Sequence, residues 1–201
     1  VAKPVHFMFQ PLATPEVVVI TPPRHGDERG CFPETATVSN LAETGIPGTF
    51  VQDNQSFSRA AGTIQDPHCQ SVPSVQGGLE RVLRGTIRGV AVDARPGPAT
   101  FGQFIAAEPC AETVRPLGIP PGFLHGFCHL VPDTDIFHNV SALHDRVAER
   151  GVIWHDTTLV LPWSLPATGP MLSAKDQKLR SLEAAMRDLE PSPRTLSEAS
   201  A

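Results

Sequence analysis

The sequence predicts an all-β protein, an antiparallel sandwich or barrel with short helices and one C-terminal helix. Three observations predict it. Short β-branched or aromatic runs recur at close spacing along the chain. Explicit turn signals separate them: Gly77-Gly78, Pro96-Gly97-Pro98 and Pro120-Pro121-Gly122. The 21 prolines and 16 glycines are spread through the chain, which suits many short strands better than long helices.

In order, the predicted strands are Val17 to Ile20, Thr49 to Gln52, Leu79 to Leu83, Ile87 to Val92, Phe101 to Ala107, Phe127 to Val131 and Ile136 to Val140. Each carries the side chains that pack well on a pleated surface. Val38 to Glu43 reads as a short helix with Ser39 as its cap. Ser173 reads as the cap of a longer helix through Lys175, Leu179, Leu182, Ala185, Met186 and Leu189, where apolar residues fall three or four apart. That helix stops before Pro191, and about 191–201 reads as a frayed polar tail. At 201 residues the chain is expected to form one domain over 1–201, with its core in about 15–180.

Composition narrows the function classes. With 16 Lys+Arg against 21 Asp+Glu, the formal net charge is −5, so no basic face is available to displace counterions from nucleic acid. No apolar run approaches the roughly 20 residues that span a bilayer. Without an evident signal segment, a soluble cytoplasmic protein is expected, with no membrane partner. Cys31, Cys69, Cys110 and Cys128 form no C-x-x-C pair and are expected as free, buried thiols. The chain has no tyrosine, so any step needing a phenol is excluded.

His68, His125, His129 and His138 fall on or beside predicted strands, and Asp176 opens the final helix. Taken singly, each histidine is as well explained by packing. Together on neighbouring strands of a barrel they could line one cavity, where burial tunes imidazole for proton transfer. Asp176 could orient one of them, as a carboxylate fixes a tautomer in other dyads. A metal is the competing use, but there is no His-x-His. His125 and His129 lie about 13 Å apart on an extended strand at roughly 3.3 Å per residue, too far for shared ligation at about 2 Å. Only a site drawn from His68, His125 and His138 on separate strands stays open. Gly26-Asp27-Glu28-Arg29-Gly30 lacks phosphate-loop spacing and reads equally as a turn or a binding segment. Arg81, Arg84 and Arg88 read as solvated strand surface.

The order of motifs resembles the dTDP-4-dehydrorhamnose 3,5-epimerase family of the cupin superfamily. The matching stretches are GDERG (Gly26 to Gly30), FVQDN (Phe50 to Asn54), QGGLERVLRG (Gln76 to Gly85), VAVDARPGPATFGQF (Val90 to Phe104), IPPGFLHGF (Ile119 to Phe127), ERGVIWHD (Glu149 to Asp156) and LSAKD (Leu172 to Asp176). The resemblance covers roughly 15–180. It implies a cupin-type jelly-roll barrel, a homodimer that exchanges amino-terminal strands, and no metal or other cofactor. It also implies isomerase chemistry on a 4-keto-6-deoxyhexose nucleotide: a His–Asp pair removes the proton beside the ketone, and an acid on the opposite face returns one. Residue by residue, the base matches His68 and its partner Asp176, with His125 a further motif histidine. Arg29, Glu34, Gln52 and Asn54 match substrate-pocket positions.

The departures are specific. Gln65 stands where the family has a substrate-contacting arginine, and Gly78 where it has the lysine that stabilises the enolate. His138 stands where it has the tyrosine acid, followed by Asn139 in place of lysine. Leu143 and His144 replace a Tyr-Tyr pair, and Gly118 a tryptophan. The expected catalytic set is therefore His68, Asp176 and His138. Arg29, Glu34, Gln52, Asn54, Gln65 and His125 are expected to contact the substrate. Two other classes stay open: an isomerase or cyclase on a non-nucleotide natural-product intermediate, and a non-catalytic binding homologue.

Overall fold

The computed structural model describes residues 7–42, 44–97 and 99–187. Thirteen strands are formed: β1 (Met8–Pro11), β2 (Val18–Thr21), β3 (Arg24–Asp27), β4 (Gly30–Pro33), β5 (Gln52–Ser58), β6 (Ile64–Gln70), β7 (Gly78–Arg84), β8 (Ile87–Asp93), β9 (Phe104–Ala107), β10 (Leu117–Ile119), β11 (Phe123–His129), β12 (Thr134–Val140) and β13 (Glu149–Gly151). Two helices, α1 (Val38–Ala42) and α2 (Leu182–Arg187), and a 3-10 turn at Asp176–Lys178 complete the elements.

The strands form a six-stranded sheet in the order β1-β2-β10-β7-β12-β5, a five-stranded sheet in the order β13-β6-β11-β8-β9, and a separate β3-β4 ribbon. All pairings between these strands are antiparallel. Side chains from both large sheets meet between them. Val17, Leu117 and Ile119 pack with Ala91, Ile105 and Phe123, and Val82 and Ile136 with Ile87 and Phe127. The fold is the antiparallel sandwich the strand spacing predicts, with the cupin-type jelly-roll form that the family resemblance implies.

Each sheet is also covered outside. Val90, Val92 and Leu124 pack under Val152, Leu159, Leu161 and α2. Val18, Ile20 and Leu79 pack under Leu41 of α1 and Ile46. A strand buried on both faces reads as a continuous apolar run rather than an alternation, which is why Ile87 to Val92 is so plain in the sequence.

Several local expectations are corrected. Thr49 to Val51 is not strand; the strand begins at Gln52 and runs to Ser58. β6 was not anticipated, because Asp66 and Pro67 interrupt it. Proline cannot donate to a ladder and is tolerated at a bulge, and the register slips at this point: His125 pairs with His68, but Phe127 pairs with Gln65. Gly126 makes that close approach possible, since a Cβ there would lie 2.7 Å from both the Gln65 carbonyl oxygen and the Pro67 nitrogen.

Thr37, not Ser39, caps α1 by accepting from the Asn40 N–H. The long C-terminal helix is two short pieces. Ser173 Oγ accepts from the Asp176 N–H, but the N-cap position of the 3-10 turn is Lys175, which makes no side-chain cap bond. Leu179 is then extended, and Arg180 forms a parallel bridge to Val152 before α2 begins. The expected continuation to Leu189 and the tail beyond Pro191 lie outside the described residues. All four cysteines are free, but only Cys128 is buried and Cys31 is exposed. Among the described residues, no helix is long and apolar enough to cross a membrane.

Candidate active site

β5, β7, β11 and β12, with β6, surround a cavity of about 370 Å³ between the two sheets. Its wall includes His68, His125 and His138, together with Gln52, Asn54 and Gln65. Six of the nine expected site residues thus meet in one place. Register explains the convergence: on β12, His138 pairs with Asn54 of β5 on one side and with Glu80 of β7 on the other. On β11, His125 pairs with His68.

His68 Nδ1 lies 3.1 Å from the Asp66 carbonyl oxygen, and Gln65 Nε2 lies 3.5 Å from the same nitrogen. Donation of Nδ1–H to the carbonyl assigns the tautomer that leaves the lone pair on Nε2. Burial lowers the proton affinity of His68, against the pull of the Asp66 carbonyl, so the ring rests neutral and able to accept. Asp176 is buried on the wall of an adjoining cavity of about 310 Å³ that His68 also lines. No hydrogen bond or ion pair joins the two, and the partner of His68 Nδ1 is backbone. Lys175 of this second cavity is paired with Glu149 at 2.5 Å.

Gln52 Nε2 donates to Asn54 Oδ1 at 2.8 Å, and Gln52 Oε1 accepts from the His144 N–H at 2.9 Å. These bonds fix two amides against the wall. Arg29 and Glu34 are placed elsewhere. Arg29 sits in the turn of the β3-β4 ribbon, with an 85% exposed side chain paired to Asp27, and Glu34 is exposed just beyond β4. Neither reaches this cavity within the one chain. Arg81 turns away from the cavity to Thr35 Oγ1, and Arg88 to Glu108.

The residue that sequence reasoning missed is Glu80. Its carboxylate is 2% exposed, and neither oxygen has a hydrogen-bond partner. Oε2 lies 3.2 Å from His125 Nε2 and 3.7 Å from His138 Nδ1. Burial pushes the carboxyl up, but His125, His138 and His129 together outweigh it and hold Glu80 below the usual carboxylate range. His129, also buried, gives its Nδ1 to the Thr63 carbonyl at 2.9 Å and leaves Nε2 unpartnered. Phe127 separates these rings, edge-on to His129 and stacked on His138. The available signal for Glu80 was alternation, since Gly78, Glu80 and Val82 share one face of a strand.

Cationic side chains are missing from the wall: among the described residues it carries no lysine or arginine. At Gly78, a Cβ would run into the Asn139 carbonyl oxygen, so the backbone itself fills that space. At Gly118, the Ile46 side chain does the same. Among the described residues no group of three or more His, Cys, Asp or Glu side chains is disposed to hold a metal ion.

Comparison with known proteins follows the same outline. A dTDP-4-dehydrorhamnose 3,5-epimerase from Sinorhizobium fredii is 39% identical over 178 residues, 87% of this chain and 89% of that protein. A solved dTDP-6-deoxy-D-glucose-3,5-epimerase from Legionella pneumophila, in complex with dTDP-4-keto-L-rhamnose, superposes with a TM-score of 0.86 at 34% identity, covering 92% of this chain and 98% of that one. A 4-keto-6-deoxy sugar epimerase from the novobiocin biosynthetic cluster of Streptomyces spheroides gives 0.84 at 31%, covering 96% of both. With the family pattern itself matched over residues 11–184, through every strand that builds the cavity, this chain belongs to the dTDP-4-dehydrorhamnose 3,5-epimerase family.

Proposed function

We propose that the protein is an isomerase that inverts C3, C5 or both in a dTDP-linked 4-keto-6-deoxyhexose. The observation that carries this reading is His68: a buried imidazole on the cavity wall, with Nδ1 committed to a backbone carbonyl and Nε2 left to accept a proton. The ketone acidifies the adjoining carbon, His68 Nε2 takes its proton, and an enolate forms. His138, in the position of the family's tyrosine, returns a proton to the opposite face; an imidazolium is a competent acid nearer neutrality than a phenol. Gln52, Asn54, Gln65 and His125 contact the sugar and its keto oxygen. Asp176, on the wall of the adjoining cavity that His68 also lines, is the partner of the base in this scheme.

Arg29 and Glu34 enter this scheme through a homodimer in which the β3-β4 ribbon is exchanged. The ribbon supports that arrangement, since seven of its eight residues are exposed, including Phe32 at 78%.

The test is proton exchange in deuterated buffer with dTDP-4-keto-6-deoxyglucose, followed by NMR. The wild type should incorporate deuterium at C3 or C5, and His68→Asn should abolish incorporation while keeping the fold. His138→Phe should lower turnover yet preserve exchange. Incorporation that survives in His68→Asn removes His68 from the mechanism, and none in the wild type overturns the reading.

A further inference from the structure

We propose that Glu80 is a positioning residue that makes the His125–His138 pair the cation of the cavity. The proposal rests on the epimerase reading for its role in turnover, while the charge it assigns can be measured without substrate. An enolate forming here meets no lysine or arginine on the wall. The Gly78 position cannot supply one without displacing the Asn139 backbone.

What the wall does contain is a carboxylate beneath two imidazoles. A buried charge without a partner is costly, and Glu80 has no hydrogen-bond donor among serines, amides or backbone. Its neighbours are His125 at 3.2 Å and His138 at 3.7 Å, with His129 further along β11. The cluster therefore holds one proton. Kept on an imidazole, that proton neutralises Glu80 and presents a positive edge to the cavity.

The surroundings of His138 support this role for Glu80. Burial, the largest influence, acts with His125, His68 and His129 to hold its proton affinity below that of a free imidazole, and Glu80 alone opposes them, so any charge His138 carries depends on Glu80. The other strands packed here add no competing charge at the cluster. β10 contributes Leu117, Gly118 and Ile119, β5 presents Asn54 opposite His138, and Arg88 of β8 is engaged with Glu108. Glu149 and Lys175 act on His68 instead.

In the reaction the balance is simple. His68 accepts the proton from carbon, the His138 N–H bond breaks as a new C–H bond forms on the opposite face, and solvent restores both rings. Glu80 stays ionised throughout. Until that transfer, the one positive charge shared between His125 and His138 faces the enolate.

The experiment is Glu80→Gln, which keeps the shape and removes the charge. Side-chain NMR of the substrate-free protein should show the His138 titration falling by about one to three pH units, the range for loss of a close opposite charge. The alkaline limb of the turnover profile should fall with it, and Glu80→Asp should move both back toward wild type. An unchanged titration in Glu80→Gln overturns the assignment of charge. A shifted titration with an unshifted pH profile overturns its part in turnover. Should Glu80→Gln fail to fold, the wild type decides: a Glu80 carboxyl that itself carries the proton at pH 6, seen in its Cδ shift, overturns the proposal. A wild type that shows no exchange refutes the epimerase reading alone, and the titration still tests the charge.

Discussion

Replacing Asp66 with asparagine tests the electrostatics next to the base through stability alone. The Asp66 carboxyl is 1% exposed, and Oδ1 has no hydrogen-bond partner. Oδ2 accepts from the Trp154 N–H at 3.0 Å. Burial, and then the nearby Asp176 charge, raise its pKa to about 7 despite that bond. An unfolded aspartate titrates near 3.9, so between about pH 4 and 7 the folded state binds a proton that the unfolded state has lost. The stability this provides is complete below pH 4 and is lost as pH rises through 7. Three pH units correspond to roughly 4 kcal/mol, and water reaching the adjoining cavity reduces that to about 2–4 kcal/mol.

Asparagine imitates the protonated form at every pH and keeps an oxygen for Trp154. Its advantage over the wild type should therefore be small at pH 4.5 and about 2–4 kcal/mol at pH 8. Urea denaturation of both proteins at the two pH values measures this directly, and the other titrating groups cancel in the difference. An advantage that stays constant within about 0.5 kcal/mol across the window refutes the reasoning, because the effect must grow with ionisation of Asp66.

Asp156 behaves in the opposite sense. It is buried, and its carboxylate accepts from the backbone N–H groups of Thr158, Leu159 and Leu182 at 2.8–2.9 Å. Burial alone would raise its pKa, but those three bonds hold it below the usual carboxylate range, so its contribution is present above about pH 4 and lost in acid. Asp156→Ala should cost roughly 3–5 kcal/mol at pH 7 in urea denaturation, the sum for buried donors left unpaired; a loss under about 1 kcal/mol would contradict that. Phe32→Asp should convert an exchanged homodimer to monomer in sedimentation velocity, and an identical sedimentation coefficient for the two proteins would contradict the ribbon exchange.

What the sequence disclosed follows the physics of each element. β8 was legible because it is almost wholly buried and apolar, and β7 and β12 because apolar residues recur along them, whereas only Phe127 to His129 of β11 was read as strand. β5 was not: it lies at a sheet edge, and its Gln-Asp-Asn-Gln-Ser run carries little hydrophobic pattern. β6 was hidden by Pro67, whose cost is met by the bulge opposite Gly126. The final helix was over-read, because apolar spacing cannot show that Arg180 leaves the helix to bridge Val152. In the cavity, His68, His125 and His138 were legible as residue types on neighbouring strands. Glu80 was not, because an acidic residue in a strand ordinarily marks the solvent face.

The closed space at Gly78 bears on where the cavity can draw its charge. The family places a lysine at this position, yet here the Asn139 carbonyl occupies the point where any side chain would begin. A side chain at this position would require β12 to move against β7, disturbing the His138 and Glu80 pairing between them. At this position the backbone admits only glycine, so any charge in the cavity has to come from elsewhere on its wall.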